Sequence, residues 1–349
     1  MVKLSFIGDI AFNDDYIHLK NKGINPFVHI SPLLTDSDLV IGNLECTLKG
    51  DEGENLLKKP RIRTLPDALM YVKDIHLGLA TLATNHIYDN LTDGFRKTVN
   101  FLESNSISYI GAGDQSERAR QKYIYRIKDI TFCFLNYITT DTHPSLPADA
   151  GVHLNIFDEE KCINDLREAA DYDYRIVLMH WGGRFEGGLF PDFDQISLSR
   201  RIIDSGADLI IGHHSHTLQP YDVYKGKYVF YSLGNFCFSD IRFEGKIRNM
   251  SSLRERESLI LNVEFSKSGY RVDWIPFRNE KLSPVIRRFV GFKFFVRNIS
   301  WKFIKRKPLW ILYNWWYRNI RPVMVQLCRK DENKSLIQRI FHHLLRKRD

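Results

Sequence analysis

Three histidines within four positions form the strongest chemical signal in the sequence. His213, His214 and His216 follow Gly212 at the end of the apolar run 209–211, which has the composition of a buried strand. Residues two apart in an extended loop point in one direction, so His214 and His216 can present their imidazoles to the same metal ion. A solvated loop that binds nothing is the alternative interpretation.

Carboxylates stand at two further strand ends. Asp9 follows a glycine after the apolar run 3–7, and Glu45 lies two positions beyond Asn43, behind the run 39–41. Carboxylate oxygens are hard metal ligands, and asparagine adds a neutral oxygen donor. A turn at Asp9, and a turn or helix N-cap at Glu45, are the structural alternatives.

Two more strand ends carry an asparagine and two histidines. Asn85 and His86 follow the run 77–83, and His180 follows the run 176–179. Asn85 can complete a metal's ligand shell without adding charge, and His86 can hold a proton for a leaving group near neutral pH. A hydrogen-bonded loop pair is the alternative for Asn85 and His86.

Taken together, carboxylates, an asparagine and several histidines at five strand ends make up the oxygen and nitrogen ligand set typical of Mn, Fe or Zn. Two such ions about 3.5–4 Å apart would hold a hydroxide and clamp the oxygens of a phosphoryl group. His86 would then protonate the leaving oxygen. Arg184 and Glu186 lie close enough to His180 in sequence to contact a substrate, with solvated loop charges as the alternative. The sequence has neither a phosphate-binding Walker loop nor a serine in a nucleophile elbow.

These positions require elements that bring strand ends together. Apolar strands alternate with helix-like segments at 92–104, 158–170 and 193–205, which favours a parallel or mixed sheet covered by helices. Ligands of such sheets bind beyond the carboxyl ends of the strands. Three hairpins, at 123–135, 221–231 and 258–274, indicate a second sheet or a long extension of the first.

Composition divides the chain near residue 280. Residues 281–349 hold 18 Lys and Arg against three acidic residues, whereas residues 1–280 hold 32 against 39. We expect a domain at 1–280 and a basic extension at 281–349. Five cysteines lie far apart, so no disulfide framework is expected. We expect neither a signal peptide nor a membrane-spanning segment, and therefore a cytoplasmic protein.

The ordered motifs resemble those of the bacterial capsule-synthesis proteins of the CapA/PgsA type, which are associated with poly-γ-glutamate or polysaccharide capsules. The matching segments cover residues 4 to about 240 and comprise 8–9, 42–45, 83–89, 180–182, 212–216 and 231–236. The resemblance implies a four-layer α/β/β/α sandwich similar to the calcineurin-like metallophosphoesterases, with the metal centre at the carboxyl edge of the strands.

The resemblance also implies residue roles. Asp9, Glu45, Asn85, His180, His214 and His216 look like metal ligands, and His86 looks like the proton donor. Asn43, His213, Arg184 and Glu186 remain substrate candidates. The broader phosphoesterase pattern has Asp-x-His at its first strand, but Ala11 stands at that histidine's place here, and Glu45 comes from Gly-Asn-Leu-Glu. This departure removes one expected ligand of the first metal ion, on which two-metal hydrolysis depends.

The family resemblance leads to two hypotheses for the function of the protein. One is a metal-dependent phosphoesterase-like enzyme of capsule or surface-polymer biosynthesis. The other is a non-catalytic assembly protein of the same pathway, which binds polymer or a capsule synthase partner. A nucleotide or cyclic-nucleotide phosphodiesterase unrelated to capsules is a third hypothesis, which activity on those small substrates would reveal.

The basic extension suggests a membrane surface as a partner. Residues 284–348 interleave Lys and Arg with Phe and Trp, as interfacial helices on anionic lipid do. Such a segment would hold the protein at the inner face of the membrane. A helical appendage packed on the main domain is the alternative, and nucleic acid is disfavoured because no binding motif accompanies the charge.

Overall fold

Strands make up most of the regular structure in the computed structural model, which describes residues 1–248, 250 and 252–320. In chain order they are β1 (Val2–Ile10), β2 (Leu39–Leu44), β3 (Thr47–Leu48), β4 (Arg63–Thr64), β5 (Leu77–Thr81), β6 (Ser108–Ile110), β7 (Ala112–Gly113), β8 (Tyr123–Ile127), β9 (Ile130–Ile138), β10 (His153–Leu154), β11 (Tyr174–His180), β12 (Leu209–His213), β13 (Tyr221–Tyr224), β14 (Lys227–Phe230), β15 (Asn235–Cys237), β16 (Ile241–Phe243), β17 (Lys246–Arg248), β18 (Glu257–Ser266), β19 (Gly269–Glu280) and β20 (Ser283–Ile286).

The helices alternate with the parallel strands, as the sequence predicts. They are α1 (Asp15–Asn21), α2 (Pro66–Leu69), α3 (Tyr71–Asp74), α4 (Leu91–Ser104), α5 (Ser116–Ala119), α6 (Glu159–Glu168), α7 (Phe193–Asp204), α8 (Arg288–Ile304) and α9 (Lys307–Asn319). The helix predictions at 92–104, 158–170 and 193–205 are confirmed as α4, α6 and α7.

Two large sheets organise the strands. The first has the order β20-β19-β18-β1-β2-β5-β6, with β15 also paired to β1, and the second has the order β13-β14-β12-β11-β9-β8. In the first sheet β15, β1, β2, β5 and β6 are parallel, while β18 to β20 add an antiparallel extension. The second is parallel at its centre, with antiparallel strands at both edges.

One apolar core lies between the two sheets. Side chains alternate along each strand, so Leu4 and Phe6 of β1 face the same core as Ile176 and Leu178 of β11. The opposite face of the first sheet packs on a second core, to which Phe95 and neighbouring positions of α4 contribute at helical spacing.

Helices also cover the outer face of the second sheet. Val177 of β11 is buried away from the core between the sheets, while Leu166 of α6 and Ile202 of α7 are buried as well. Tyr137 of β9 donates a hydrogen bond to Asp165 of α6 at 2.7 Å. The layers therefore run helix, sheet, sheet, helix, and the predicted four-layer α/β/β/α sandwich is confirmed.

The three predicted hairpins form, and they serve both sheets. The strand pairs β8–β9 and β13–β14 build the edges of the second sheet, whereas β18–β19 extends the first. The second sheet and the extension that the sequence offers as alternatives therefore both exist. Four cysteines within the described residues, Cys46, Cys133, Cys162 and Cys237, are buried free thiols.

The chain divides into two compact units, Met1–Arg297 and Asn298–Asp349. The sequence places the boundary at residue 280, but the first unit continues beyond it because β20 pairs with β19, and Val290 and Phe294 of α8 join the core between the sheets. Among the described residues, none of the helices has the length and apolar character needed to cross a membrane. The basic extension from residue 321 onward lies outside the described residues.

Candidate metal centre

The carboxyl ends of strands from both sheets converge on one buried site. Asp9 of β1 pairs with Asn43 of β2, and His180 of β11 pairs with His213 of β12. The Asn43 amide nitrogen lies 3.3 Å from Nδ1 of His180, which joins the two sheets at this point. The sequence-predicted strand ends therefore meet, as parallel strands require.

Two glycines permit this close approach. A Cβ atom on Gly8 would lie 1.8 Å from the carbonyl oxygen of Gly234, and one on Gly212 would lie 2.0 Å from the carbonyl oxygen of Tyr231. Any larger side chain would push the neighbouring strand away. The backbone around the site is therefore packed against itself without intervening side chains.

Asp9, Glu45 and His216 form the tightest group of metal-ligating side chains. Each offers one ligand atom, and these atoms all lie within 4.8 Å of one another. Nδ1 of His216 is 3.3 Å from Oδ2 of Asp9 and 2.9 Å from Oδ1 of Asn235. The amide nitrogen of Asn43 donates to Oδ1 of Asp9 at 2.8 Å and to Oε1 of Glu45 at 3.1 Å.

The remaining predicted ligands border this group. Nε2 of His180 lies 3.1 Å from Oδ1 of Asn85, and the rings of His180 and His214 have centroids 4.6 Å apart. The ring of His214 is 6.0 Å from that of His216. The structure therefore brings together all six side chains that the sequence predicts as ligands.

The loop that carries the histidines has an unusual backbone. His214 and His216 have φ angles of 91° and 56°, in the left-handed region that side chains with a Cβ rarely adopt. The backbone N–H of His214 also donates to the Asp9 carboxylate, at 3.3 Å from Oδ2. Backbone strain of this kind persists where the surrounding structure enforces it, and it concentrates at functional sites.

The donor set fits a bound cation. Several of its buried polar atoms have no hydrogen-bond partner, namely Oε2 of Glu45, Nδ1 of His213 and Nδ1 of His214. His213 lies 3.3 Å from Asp9 but without hydrogen-bond geometry. Unpartnered buried atoms are costly unless something coordinates them, and oxygen and imidazole donors are what Mn, Fe and Zn accept.

Protonation states point the same way. Burial raises the pKa of Asp9, but the close contacts of its carboxylate with the His213 and His216 imidazoles outweigh burial and hold this pKa well below its usual range. Burial and the Asp9 charge raise the pKa of Glu45, while Glu45 and Asp9 overcome burial and raise the pKa of His216 to about 9. A metal ion that binds this group would therefore displace protons from it.

Burial lowers the pKa values of His180 and His214 well below normal, so both imidazoles are neutral, the form that binds metals. His86 has the same protonation state for a related reason. Burial lowers its pKa first, and the charge of Lys58 lowers it further.

His86 is held by a carboxylate that the sequence analysis leaves without a role. Nδ1 of His86 lies 2.6 Å from Oδ2 of Asp89, which also accepts the backbone N–H of Ile62 at 2.6 Å. Burial raises the pKa of Asp89 to about 7. The pair fixes the orientation of the His86 ring.

The two loop residues predicted as substrate contacts differ in position. Arg184 is exposed and pairs with Asp194 at 3.4 Å, and no contact of its side chain with the predicted ligands is seen in the described residues. Glu186 reaches the site, because its Oε1 lies 3.8 Å from Nε2 of His216, and it forms an ion pair with Arg248.

Sequence reasoning misses four residues of this neighbourhood. Asp89 and Asn235 lie inside matched segments, so their motifs contain them without revealing their roles. Lys58 and Arg248 carry no local signal, because they reach the site from distant loops and hairpins. The amine of Lys58 donates to the backbone carbonyl of Asn85.

A family model decides the relationship of the chain. The model described as "Bacterial capsule synthesis protein PGA_cap" matches residues 3–240, which include every predicted ligand. The chain belongs to this family. The resemblance drawn from the motifs is thereby confirmed.

Individual relatives agree with the family. The chain is 26% identical over 325 residues to the PGA biosynthesis protein CapA of Bacillus subtilis (strain 168), covering 86% of this chain and 80% of the relative. It is 28% identical to the capsule biosynthesis protein CapA of Bacillus anthracis, covering 74% and 66%. It is also 28% identical to a Mycobacterium tuberculosis protein described as a "Probable polyglutamine synthesis accessory protein", covering 67% and 64%.

Similarity to solved structures is weaker. A hypothetical protein from Thermus thermophilus aligns with a TM-score of 0.48 and 11% identity, covering 79% of this chain and 99% of that one. A 5'-nucleotidase precursor from the same organism aligns with a TM-score of 0.45 and 14% identity, covering 87% and 60%.

Proposed function

We propose that this protein is a metal-dependent phosphoesterase-like hydrolase that acts in the biosynthesis of a capsule or surface polymer, poly-γ-glutamate or polysaccharide. The observation that carries the proposal is the buried group of Asp9, Glu45 and His216, whose ligand atoms lie within 4.8 Å of one another beside unpartnered imidazole nitrogens. Family membership and the names of the Bacillus relatives support the pathway.

The ligand set divides around Asp9. Glu45 and His216 stand with Asp9 on one side, and His180, His214 and Asn85 form the other part of the set. Mn, Fe or Zn ions, up to two, would bind there and supply Lewis-acid polarisation of a phosphoryl group and an activated water.

The protein's own residues supply positioning and proton transfer. Asn43 orients both carboxylates through its amide nitrogen. His86, held by Asp89, lies buried at the same site and exchanges a proton with the leaving oxygen. Burial of these groups excludes bulk water, which strengthens each electrostatic interaction.

Elemental analysis combined with a hydrolysis screen tests the proposal. The wild type is expected to retain Mn, Fe or Zn and to hydrolyse a phosphodiester or phosphomonoester, and the double variant His214→Ala/His216→Ala is expected to lose both. His29→Ala, which removes an exposed histidine outside the site, is the matched control and should behave as wild type. Purified wild type without any transition metal would contradict the proposal.

A non-catalytic assembly or polymer-binding role is the second candidate. Ala11 stands where the broader phosphoesterase pattern has a histidine, and the mycobacterial relative is described as accessory. In that case the metal would organise a surface for polymer or for a capsule synthase partner. Metal retention together with the absence of hydrolysis across the screen would favour this role.

We also propose that α8 attaches the protein to an anionic membrane surface. Val290 and Phe294 are buried in the core, whereas Phe289, Phe292 and Phe295 on the other side of the helix are 59%, 61% and 60% exposed. A helix on the surface of a domain normally turns polar residues outward. The outward face of α8 is therefore apolar for a reason other than folding.

The charge of this segment indicates what binds the exposed face of α8. Residues 281–320 contain ten Lys and Arg and no Asp or Glu. Exposed phenylalanines next to cations match an interfacial helix on anionic lipid, where both the buried apolar area and the positive charge contribute to binding. α9 has the same character, with Leu312 and Trp315 exposed.

Vesicle sedimentation tests this attachment. We expect the full chain to bind phosphatidylglycerol vesicles and not phosphatidylcholine vesicles, and binding to weaken with salt. The variant Phe289→Ser/Phe292→Ser/Phe295→Ser should lose most of the binding, while Val28→Ser/Val223→Ser, at exposed apolar positions elsewhere, should keep it. Equal binding by the two variants would refute a role for α8.

A further inference from the structure

Two buried or half-buried cations flank the candidate metal centre. Lys58 is only 7% exposed, and Arg248 of β17 is half-buried. Neither residue belongs to the ligand set, and neither has a role in the hydrolysis proposed above. Lysine and arginine are expensive to bury, so both cations require compensation at this place.

Contacts connect each cation to the site. Lys58 donates to the backbone carbonyl of Asn85, whose side chain contacts His180 at 3.1 Å. Arg248 pairs with Glu186, whose carboxylate lies 3.8 Å from His216. The two cations thus approach the ligands from separate segments of the chain.

Electrostatic coupling supports the same placement. Glu45 interacts with both cations, while Asp89 also interacts with Lys58 and Glu255 with Arg248. Both positive charges therefore act on the space beside Glu45.

Neutralisation of nearby carboxylates is the simplest account of these cations. It applies to the metal-free protein, where Asp89 and, after it, Glu45 interact favourably with the Lys58 ammonium group. A divalent ion bound to Asp9 and Glu45 would neutralise these two carboxylates. Lys58 and Arg248 would then be available to bind another anion.

Glu186 indicates what kind of anion this is. Its carboxylate holds Arg248 and lies beside His216, so it presents an oxyanion at the edge of the candidate centre. Arginine binds carboxylates and phosphates in the same forked geometry. A substrate oxyanion can therefore replace the Glu186 carboxylate on Arg248.

We propose that Lys58 and Arg248 bind an oxyanion of the substrate, phosphate or carboxylate, beside the metal centre, and that Glu186 occupies Arg248 until this group binds. The inference rests on the proposed function of the same site. It assigns substrate recognition to two residues outside the matched motif segments, and it gives Glu186 the role of an internal competitor.

Isothermal titration calorimetry tests this proposal by measuring the affinity of the full chain for two anions, inorganic phosphate and a γ-linked glutamate oligomer. Each titration is done with and without added Mn²⁺. Lys58→Met and Arg248→Gln are each expected to weaken binding by about ten-fold or more, because each removes a charge-assisted hydrogen bond. Glu186→Gln is expected to strengthen binding, since it removes the carboxylate that contacts Arg248 directly. The phosphate and oligomer arms separate a phosphoryl from a carboxylate ligand.

Arg242→Gln is the matched control. Arg242 lies on β16 of the same hairpin and forms an exposed ion pair with Asp15, so its loss should leave anion binding unchanged. Metal content is measured for every variant and should equal that of wild type. Because Arg248 is only half-buried, Arg248→Gln serves as the test where Lys58→Met lowers the melting temperature.

The outcomes separate the two proposals. Anion binding that is absent in wild type, or that both variants retain in full, overturns the inference even when metal is bound. A protein that retains metal and binds phosphate through Lys58 and Arg248, but hydrolyses no phosphoester in the screen, supports the inference and contradicts the proposed hydrolase function.

Discussion

At the scale of single residues, the environment of His86 determines what this histidine does. Its Nδ1 faces Asp89 at 2.6 Å, so the ring orientation is fixed and the opposite nitrogen remains for proton exchange. Asp89 also accepts the Ile62 backbone N–H, which anchors the carboxylate itself. Asp89 is thus a positioning residue, because it acts through His86.

Asp89→Asn is expected to lower kcat by about 100-fold on the phosphoester found in the screen, since the His86 ring loses the carboxylate that orients it for proton transfer. Asparagine keeps the volume and an acceptor for Ile62, so the fold and the metal content should stay those of wild type. Steady-state kinetics and elemental analysis check this. An unchanged kcat would mean that His86 takes no part in proton transfer.

Gly212 offers a prediction on stability. An added Cβ would lie 2.0 Å from the carbonyl oxygen of Tyr231 and 2.4 Å from Nε1 of Trp181, and both groups are buried. Since that indole N–H donates to the Tyr231 carbonyl at 3.0 Å, neither partner can move alone.

Gly212→Ala is therefore expected to destabilise the protein by about 3 kcal/mol or more. Urea denaturation measures the difference. Gly226→Ala is the control. Gly226 lies at a hairpin tip where no atom is within 4 Å of the added Cβ, but its φ of 75° disfavours alanine. This variant therefore measures the cost of backbone strain without steric overlap. A loss of stability as small as that of Gly226→Ala would contradict the steric argument.

At the scale of elements, one carboxylate connects the two sheets. Oδ2 of Asp173, just before β11, accepts the backbone N–H and the hydroxyl of Thr131 on β9, at 2.7 and 2.8 Å. Oδ1 of the same residue accepts from Lys267 in the β18–β19 turn at 2.7 Å. These bonds, with Lys267 foremost, lower the pKa of Asp173 to about 2.

A depressed pKa gives a definite pH dependence. The folded protein holds the Asp173 charge more strongly than the unfolded chain, whose aspartate pKa is about 3.9. The stabilisation is therefore complete above about pH 4 and is lost as the pH falls from there towards 2. Asp173→Asn should cost about 1 kcal/mol at pH 7, a value reduced by solvent screening.

Urea denaturation of wild type and Asp173→Asn at a series of pH values measures this. The difference between the two proteins should shrink as the pH falls below 4. Asp129→Asn, in the turn between β8 and β9, is the control and should show no such trend. If the difference in the free energy of unfolding stays constant down to pH 2, the effect of Asp173→Asn comes from altered packing and not from the lost charge.

The same scale shows what the sequence can predict. Apolar runs that end in polar residues locate β1, β2, β5, β11 and β12, because burial and strand periodicity are local properties. The runs are too short by one to three residues where polar ligands such as Asp9 and His213 continue the strand. Strand order is not encoded locally: β18 pairs with β1 across more than 250 residues.

The candidate site follows the same division. Residues that stand directly at strand ends, such as His180 and Glu45, can be identified because the sheet positions them. Lys58 and Arg248 cannot, since packing of a loop and a distant hairpin brings them to the site. Arg184 is suggested by proximity in sequence, yet its loop directs it towards Asp194.

At the scale of the whole molecule, the end of the first compact unit is the feature that the composition does not locate. Charge changes near residue 280, but the unit runs to Arg297. Phe294 packs edge-on against Trp274 of β19 at 5.5 Å, and Arg297 donates to the carbonyl of Leu218. A segment that looks like a basic tail therefore completes the core.

Truncation distinguishes the two boundaries. A chain ending at residue 280 loses β20 together with the buried side chains of Val290 and Phe294, whose burial contributes about 3–5 kcal/mol. A chain ending at Arg297 keeps these contacts, although it ends within α8, and should unfold at a urea concentration much closer to that of the full protein. Urea denaturation of the three chains should therefore place the 1–280 chain well below the other two. Equal urea midpoints for the 1–280 and 1–297 chains would instead show that β20 and α8 add no stability to the core. The folded domain would then end near residue 280, where the charge of the sequence changes.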